Sequence, residues 1–218
     1  INIKIRKGDN VAIIGETGSG KTSLAKLFME FYSPDKGHIY VDGAELQNFE
    51  VQEIRKAVVY VSQEDFLFTA SVRENLKMGN EEISDEEMIE ISRKMGVHQF
   101  VSKMERAYDS VLEERGKNLS KGQRQKLSLT RAILRHPKIL ILDEATSNMD
   151  SISEREILNY IKGIRDITLI LISHRINVIA DSDCIYVLQK GNIVARGTDK
   201  QLKEQCKLYR QLYGEEEK

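Results

Sequence analysis

The sequence predicts an α/β fold: a mostly parallel sheet, an antiparallel β part near the N-terminus and an inserted helical subdomain. Three observations predict it. Four short apolar runs, Val11–Ile14, Val58–Val61, Ile139–Leu142 and Leu169–Ile172, have the length and residue types of strands buried on both faces. Stretches of helical period separate them. Between Glu64 and Arg135 there is no convincing strand, only helical signals. In an open sheet of this kind, ligands bind beyond the carboxyl ends of the strands.

The elements follow in order. Ile1, Ile3 and Ile5 alternate with Asn2, Lys4 and Arg6, which predicts a half-buried strand. Gly8-Asp9 turns the chain into the Val11–Ile14 strand. Next comes Gly15-Glu16-Thr17-Gly18-Ser19-Gly20-Lys21-Thr22, which fits the phosphate loop G-x-x-x-x-G-K-[ST]. Its glycines let the backbone curl so that several N–H groups face one anion. The helix that follows, with Leu24, Leu27, Phe28 and Phe31 at helical spacing, adds the positive end of its dipole. Lys21 can reach the β- and γ-phosphates, and the Thr22 hydroxyl can coordinate Mg2+. Strand, Gly-rich turn and helix are the context this motif requires, and the expected core is that of a P-loop NTPase.

Ser33 to Gly37 is a turn cluster. His38 to Val41, followed by Asp42-Gly43, predicts a strand and tight turn, antiparallel with the first strand. Val51 to Lys56 reads as a short helix, and the second apolar run ends at Ser62-Gln63. Ser84 and Glu87 form a capping box for a helix with Met88, Ile91 and Met95 on its apolar face, closed by Gly96. Val97 to Met104 predicts another short helix. Ser120 and Gln123 cap a helix carrying Leu127, Leu129, Ile133 and Leu134. The third run ends at Asp143-Glu144. A capping box at Ser153-Glu156 predicts a helix with Ile157, Leu158, Ile161 and Ile164 on one side. The fourth run ends at Ser173-His174. Cys184 to Leu188 and Ile193 to Ala195, joined through Lys190-Gly191-Asn192, read as a hairpin, and Asp199 can cap a last helix with Leu202, Cys206, Tyr209 and Tyr213.

The chain has 218 residues, enough for one large domain. With 33 basic and 34 acidic residues its net charge is −1, against a nucleic-acid partner held by electrostatics. Cys184 and Cys206 stand in no metal-like spacing and read as unpaired thiols of a reducing compartment. His38, His98, His136 and His174 form no ligand cluster, and no apolar run is long enough to cross a bilayer. The chain starts at Ile1 rather than Met, which predicts that residue 1 lies inside a longer polypeptide.

Two further stretches carry chemistry. Asp143-Glu144 at a strand end puts one carboxylate where it can hold Mg2+, directly or through water. The next carboxylate can orient and deprotonate an attacking water. Leu119-Ser120-Lys121-Gly122-Gln123 is either a well-capped helix N-terminus and nothing more, or an anion site.

Taken together, the chain resembles the nucleotide-binding domain of an ATP-binding cassette (ABC) transporter over nearly its whole length. Six ordered elements carry the resemblance: Gly15–Thr22 (Walker A), Gln63 (Q-loop), Leu119–Gln123 (signature), Ile139–Glu144 (Walker B), Ser147–Asp150 (D-loop) and His174 (switch histidine). Leu112 to Gly116 is similar to the x-loop of exporters, and so is the context of Phe66-Leu67-Phe68 and Ser71 to Asn75. The resemblance implies a single ABC domain, with residues 1–63 and 136–218 as the ATP-binding core and 64–135 as the helical subdomain. It implies ATP and Mg2+ as ligands, with Ser23 joining Gly15–Thr22 around the nucleotide and Thr22, Gln63 and Asp143 around the metal. Two identical or different cassettes would pack head to tail. Ser120, Gly122 and Gln123 of one would then meet the nucleotide of the other, and Asp150 would cross the interface. Lys21, Gln63, Glu144 and His174 would carry hydrolysis. A transmembrane domain, fused upstream or on a separate chain, would be driven from the cytoplasmic face of the membrane.

Three departures from the family pattern stand out. Lys121 replaces the usual signature Gly, which would either strain the backbone, if that position needed positive φ, or add a cation near the γ-phosphate in trans. Residues 1–14 contain no aromatic to stack on adenine. The D-loop reads Ser147-Asn148-Met149-Asp150. The alternatives are a non-transport ABC ATPase, whose insertions and basic surface are missing here, and a regulatory cassette with weak hydrolysis. Such a cassette usually lacks the glutamate or histidine that this chain keeps as Glu144 and His174.

Overall fold

The computed structural model describes residues 1–64 and 66–216. They form two compact units. The first comprises Ile1–Tyr60, Lys138–Glu144 and Arg165–Lys218; the second comprises Val61–Pro137 and Ala145–Ile164.

The first unit is built on a six-stranded sheet in the order β4-β5-β6-β1-β7-β8. The strands are β1 (Asn10–Ile14), β4 (Val58–Val61), β5 (Ile139–Asp143), β6 (Thr168–Ile172), β7 (Cys184–Gln189) and β8 (Asn192–Gly197). β5, β6, β1 and β7 run parallel, and β8 closes the edge antiparallel to β7. Parallel strands of this kind are covered on both faces, hence their unbroken apolar runs. One face packs Ile13, Val58, Ile141, Ile170 and Ile172 against Leu24 and Ala25 of α1 (Lys21–Phe28), Met29 just after it, and Ile54 of α2 (Val51–Ala57). The alternate residues Ala12, Ile14, Leu140, Leu142, Leu169 and Leu171 are buried on the other face. Each large aliphatic side chain so buried contributes about 1.5–3 kcal/mol.

A small hairpin joins β2 (Tyr40–Val41) to β3 (Ala44–Glu45). Its turn residues Asp42 and Gly43 have φ of 50° and 82°, the left-handed pair that a two-residue hairpin requires. The hairpin replaces the expected pairing with residues 1–5, which form no strand. Ile3 and Ile5 do pack against the core, so their alternation is real. The Lys4 backbone, however, exchanges both its hydrogen bonds with the Tyr186 hydroxyl, a side chain that offers no ladder to extend.

The second unit is helical, with α3 (Val72–Lys77), α4 (Asp85–Lys94), α5 (His98–Val101), α6 (Lys121–Leu134) and α7 (Ser151–Lys162). Leu127, Leu129 and Leu134 of α6 and Met88 of α4 are completely buried. A lone antiparallel bridge between Ser71 and Val111 is its extended pairing among the described residues. Several boundaries differ from the sequence reading: α1 ends at Phe28, before the expected Phe31, and α5 covers His98–Val101 rather than Val97 to Met104. α7 is capped by Asp150, whose carboxylate accepts from the Ser153 N–H, so the cap lies three residues before the expected Ser153. The C-terminal segment, in the first unit, is two helices, α9 (Asp199–Gln205), capped by Thr198, and α10 (Lys207–Glu216). Before them, α8 (Ile176–Ile179) follows β6.

Candidate functional site

Sheet register sets the site of the first unit. Ile13 of β1 and Asp143 of β5 both pair with Ile172 of β6, so three strands end abreast. β1 leads into the Gly15–Gly20 loop and then α1. Gly18 and Gly20 take φ of 79° and 104°, which side chains rarely adopt. Gly15 is required for a different reason: a Cβ there would lie 2.2 Å from the Leu188 carbonyl oxygen.

The loop is arranged for an anion. α1 has no side-chain N-cap and no acidic residue in its first turn, which leaves its N–H groups available. Ser19 is buried, and its hydroxyl has no partner among the described residues. Lys21, also buried, spans the loop and donates to the carbonyl oxygens of Gly15 at 2.7 Å and Glu16 at 3.0 Å. Burial pushes its pKa down, and the carboxylates of Glu144 and Asp143 oppose that shift. Glu16, Thr17, Thr22 and Ser23 are exposed around the same turn.

Asp143 is buried, and its Oδ2 accepts from the Thr22 hydroxyl at 2.7 Å and the Tyr60 hydroxyl at 2.9 Å. Glu144 takes φ 53°, its N–H donates to the Ile172 carbonyl, and its Oε1 lies 3.1 Å from His174 Nδ1. Lys21, Thr22, Asp143, Glu144 and His174 therefore share one end of the sheet. Gln63 lies exposed in the bend after β4, within the second unit.

The second unit gathers the other expected residues. Ser120 caps α6: its hydroxyl accepts from the Gln123 N–H, and Gln123 returns a bond to the Ser120 N–H. Lys121 is the first residue of α6, in helical backbone, so the expected conflict with a side chain at this position does not arise. Gly122 is the tight position, since a Cβ would come 3.1 Å from the Asn148 carbonyl oxygen. Ser120, Lys121, Gly122, Gln123 and Asp150 line an open cleft of about 800 Å3.

Two residues escape a motif-based reading. Gln125 is completely buried and accepts from the Asn148 N–H at 2.9 Å, tying α6 to the Ser147–Asp150 turn. Tyr60 is the other. Its signal in the sequence is faint: one hydroxyl in an otherwise aliphatic strand.

The family comparisons agree with this geometry. Residues 1–147 match the family model described as ABC transporter. The heterocyst differentiation ATP-binding protein HepA of a Nostoc species is 42% identical over 206 residues, covering 94% of this chain and 34% of that protein. A mitochondrial iron-sulfur clusters transporter, ABCB7 of Oryzias latipes, is 38% identical, covering 93% of this chain and 27% of that protein. The chain thus spans about a third or less of these relatives' length. A solved structure, a bacterial Atm1-family ABC exporter with ATP bound, superposes with a TM-score of 0.93 at 31% identity, covering 97% of this chain and 38% of that one. On these matches the chain belongs to the ABC transporter family, as a nucleotide-binding domain.

Proposed function

We propose that this domain binds ATP with Mg2+ and hydrolyses it as the motor of an ABC exporter. The observation that carries the reading is the Glu144–His174 contact at the sheet end that also holds the phosphate loop. The uncapped α1 N-terminus, the unpartnered Ser19 hydroxyl and Lys21 suit the phosphates of a nucleotide. Thr22 and Asp143, bonded to each other, suit Mg2+, which keeps several waters and needs few protein ligands, and Gln63 is the further ligand that the family resemblance implies. When bound, the cation would neutralise charge on the phosphate oxygens. Glu144 takes the proton of the attacking water as its oxygen bonds the γ-phosphorus, and the bond to the bridging oxygen breaks to release ADP. His174 steadies Glu144 and the γ-phosphate. Among the described residues no helix is long and apolar enough to cross a membrane. The membrane domain would be fused upstream or carried on a separate chain, and the greater length of the relatives supports the fused arrangement. The motor then works at the cytoplasmic face.

Catalysis is completed by a second cassette, identical or different, packed head to tail. Ser120, Gly122 and Gln123 of one domain face the nucleotide of the other, and Asp150 lies at the interface. The cleft that these residues line supports that role. Glu144 and His174 together favour an active motor over a regulatory cassette. The test is light scattering of Glu144→Gln with and without ATP and Mg2+. A nucleotide-dependent shift from monomer to dimer is expected. A variant that binds ATP and remains monomeric overturns the shared-site reading for this domain alone.

A further inference from the structure

We infer that Tyr60 is a positioning residue for the divalent cation, acting through Asp143. This rests on the proposed binding of ATP with Mg2+. The placement follows from the period of two along the strands. Val58 and Ile141 lie on the face packed against α1, so Tyr60 and Asp143, two residues further along β4 and β5, point to the same side. That side meets Thr22 in the first turn of α1. The two hydroxyls converge on one oxygen, Asp143 Oδ2, at 2.7 Å from Thr22 and 2.9 Å from Tyr60.

The two donors are not equivalent. Thr22 is exposed, and its oxygen belongs to the set that would hold the cation. Tyr60 is half-buried, and its ring packs against the apolar cluster under the sheet, so its hydroxyl is fixed by the core. Tyr60 therefore holds the carboxylate plane whether or not Thr22 is engaged elsewhere. With Oδ2 occupied by this anchor, the orientation of the whole carboxylate is set before a cation arrives. Groups that orient a metal ligand in this way typically contribute 10–100-fold in metal affinity. The hydroxyl is the active part; the ring serves packing alone.

The experiment measures nucleotide affinity twice on the full transporter, once in excess Mg2+ and once in EDTA. Wild type, Tyr60→Phe and Tyr60→Leu are compared, and a thermal melt checks folding. For Tyr60→Phe, affinity in EDTA is expected to match wild type, while the gain on adding Mg2+ shrinks about tenfold. Mn2+ in place of Mg2+ should show the same loss. Tyr60→Leu removes packing as well and is expected to lower affinity under both conditions. If Tyr60→Phe keeps the full Mg2+-dependent gain, or loses affinity equally in EDTA, the positioning role is overturned. If wild type itself gains nothing from Mg2+, the failure lies in the proposed function instead.

Discussion

Glu144 and His174, thirty positions apart in sequence, meet at 3.1 Å because strand pairing pins both. The Glu144 N–H is bonded to the Ile172 carbonyl, two residues before His174 on the adjacent strand exit. The same bond holds Glu144 at φ 53°, a conformation that non-glycine residues seldom take. Such strain persists where the surroundings over-determine it, which is the case here at the end of two paired strands.

From that pairing, Glu144→Gln is expected to retain nucleotide binding and lose about 10²–10⁴-fold in turnover, the usual share of a general base. His174→Ala should also cut turnover. The double variant should be scarcely worse than Glu144→Gln, because the two side chains act as one unit. Phosphate release by the three variants in the full transporter checks this, and multiplicative losses would dissociate the pair.

Gly15→Ala is expected to fail at the backbone. The added methyl meets the Leu188 carbonyl oxygen at 2.2 Å and the Ser19 hydroxyl at 2.7 Å. Leu188 sits in β7, so the strand itself must move, at about 1–3 kcal/mol by analogy with overpacked cores. Nucleotide binding should fall with it. Gly37→Ala, which has φ 88° and open space around it, should cost about 1–2 kcal/mol from the backbone alone and spare binding. Denaturant melts and nucleotide titrations separate the two.

Gln125→Leu keeps the volume of a completely buried side chain and removes the acceptor of the Asn148 N–H. Asn148 is itself exposed, so the loss is that of an ordinary hydrogen bond, about 0.5–1.5 kcal/mol. The loss should be local: hydrogen exchange at the Asn148 amide should accelerate, while amides in β5 and β6 keep their protection.

Much of this was legible in the chain because period and motif coincide. The four apolar runs became β1, β4, β5 and β6 because burial on both faces leaves no other composition workable. The caps at Ser84 and Ser120 predicted their helices because the side chain that ends the pattern also supplies the missing hydrogen bond, although only Ser120 completes the reciprocal box. The Ile1–Ile5 alternation misled because alternation reports a buried face, not a partner strand. Ser153 misled because Asp150 competes for the cap and satisfies the Ser153 N–H itself. Tyr60 and Gln125 were invisible for a third reason. Their roles depend on which residues lie across from them, and period alone does not say.

Acid sensitivity gives the last prediction. Asp85 begins α4, and Lys77 Nζ donates to it at 2.8 Å; Arg73 pairs with it as well and reaches Asp109 at 2.8 Å. Hydrogen bonds from Lys77, then Arg73, hold the Asp85 carboxyl below its ordinary 3.8. A carboxyl depressed in the folded state stabilises fully above its unfolded pKa. That contribution is lost as pH falls through the folded value. Glu74, Asp150 and Asp166 are depressed too, so wild-type stability should decline below about pH 4. Asp85→Asn cannot ionise and keeps no charge for Lys77 or Arg73. Its melting temperature should be slightly lower than wild type at pH 7, and the gap should close as pH falls below about 4. Because the pair is exposed, 0.5 M salt should narrow the pH 7 gap as well (screening over about 4 Å). Melting curves from pH 7 to 2 at two salt concentrations check both limbs. Parallel curves for the two proteins would show that these ion pairs contribute nothing to the fold.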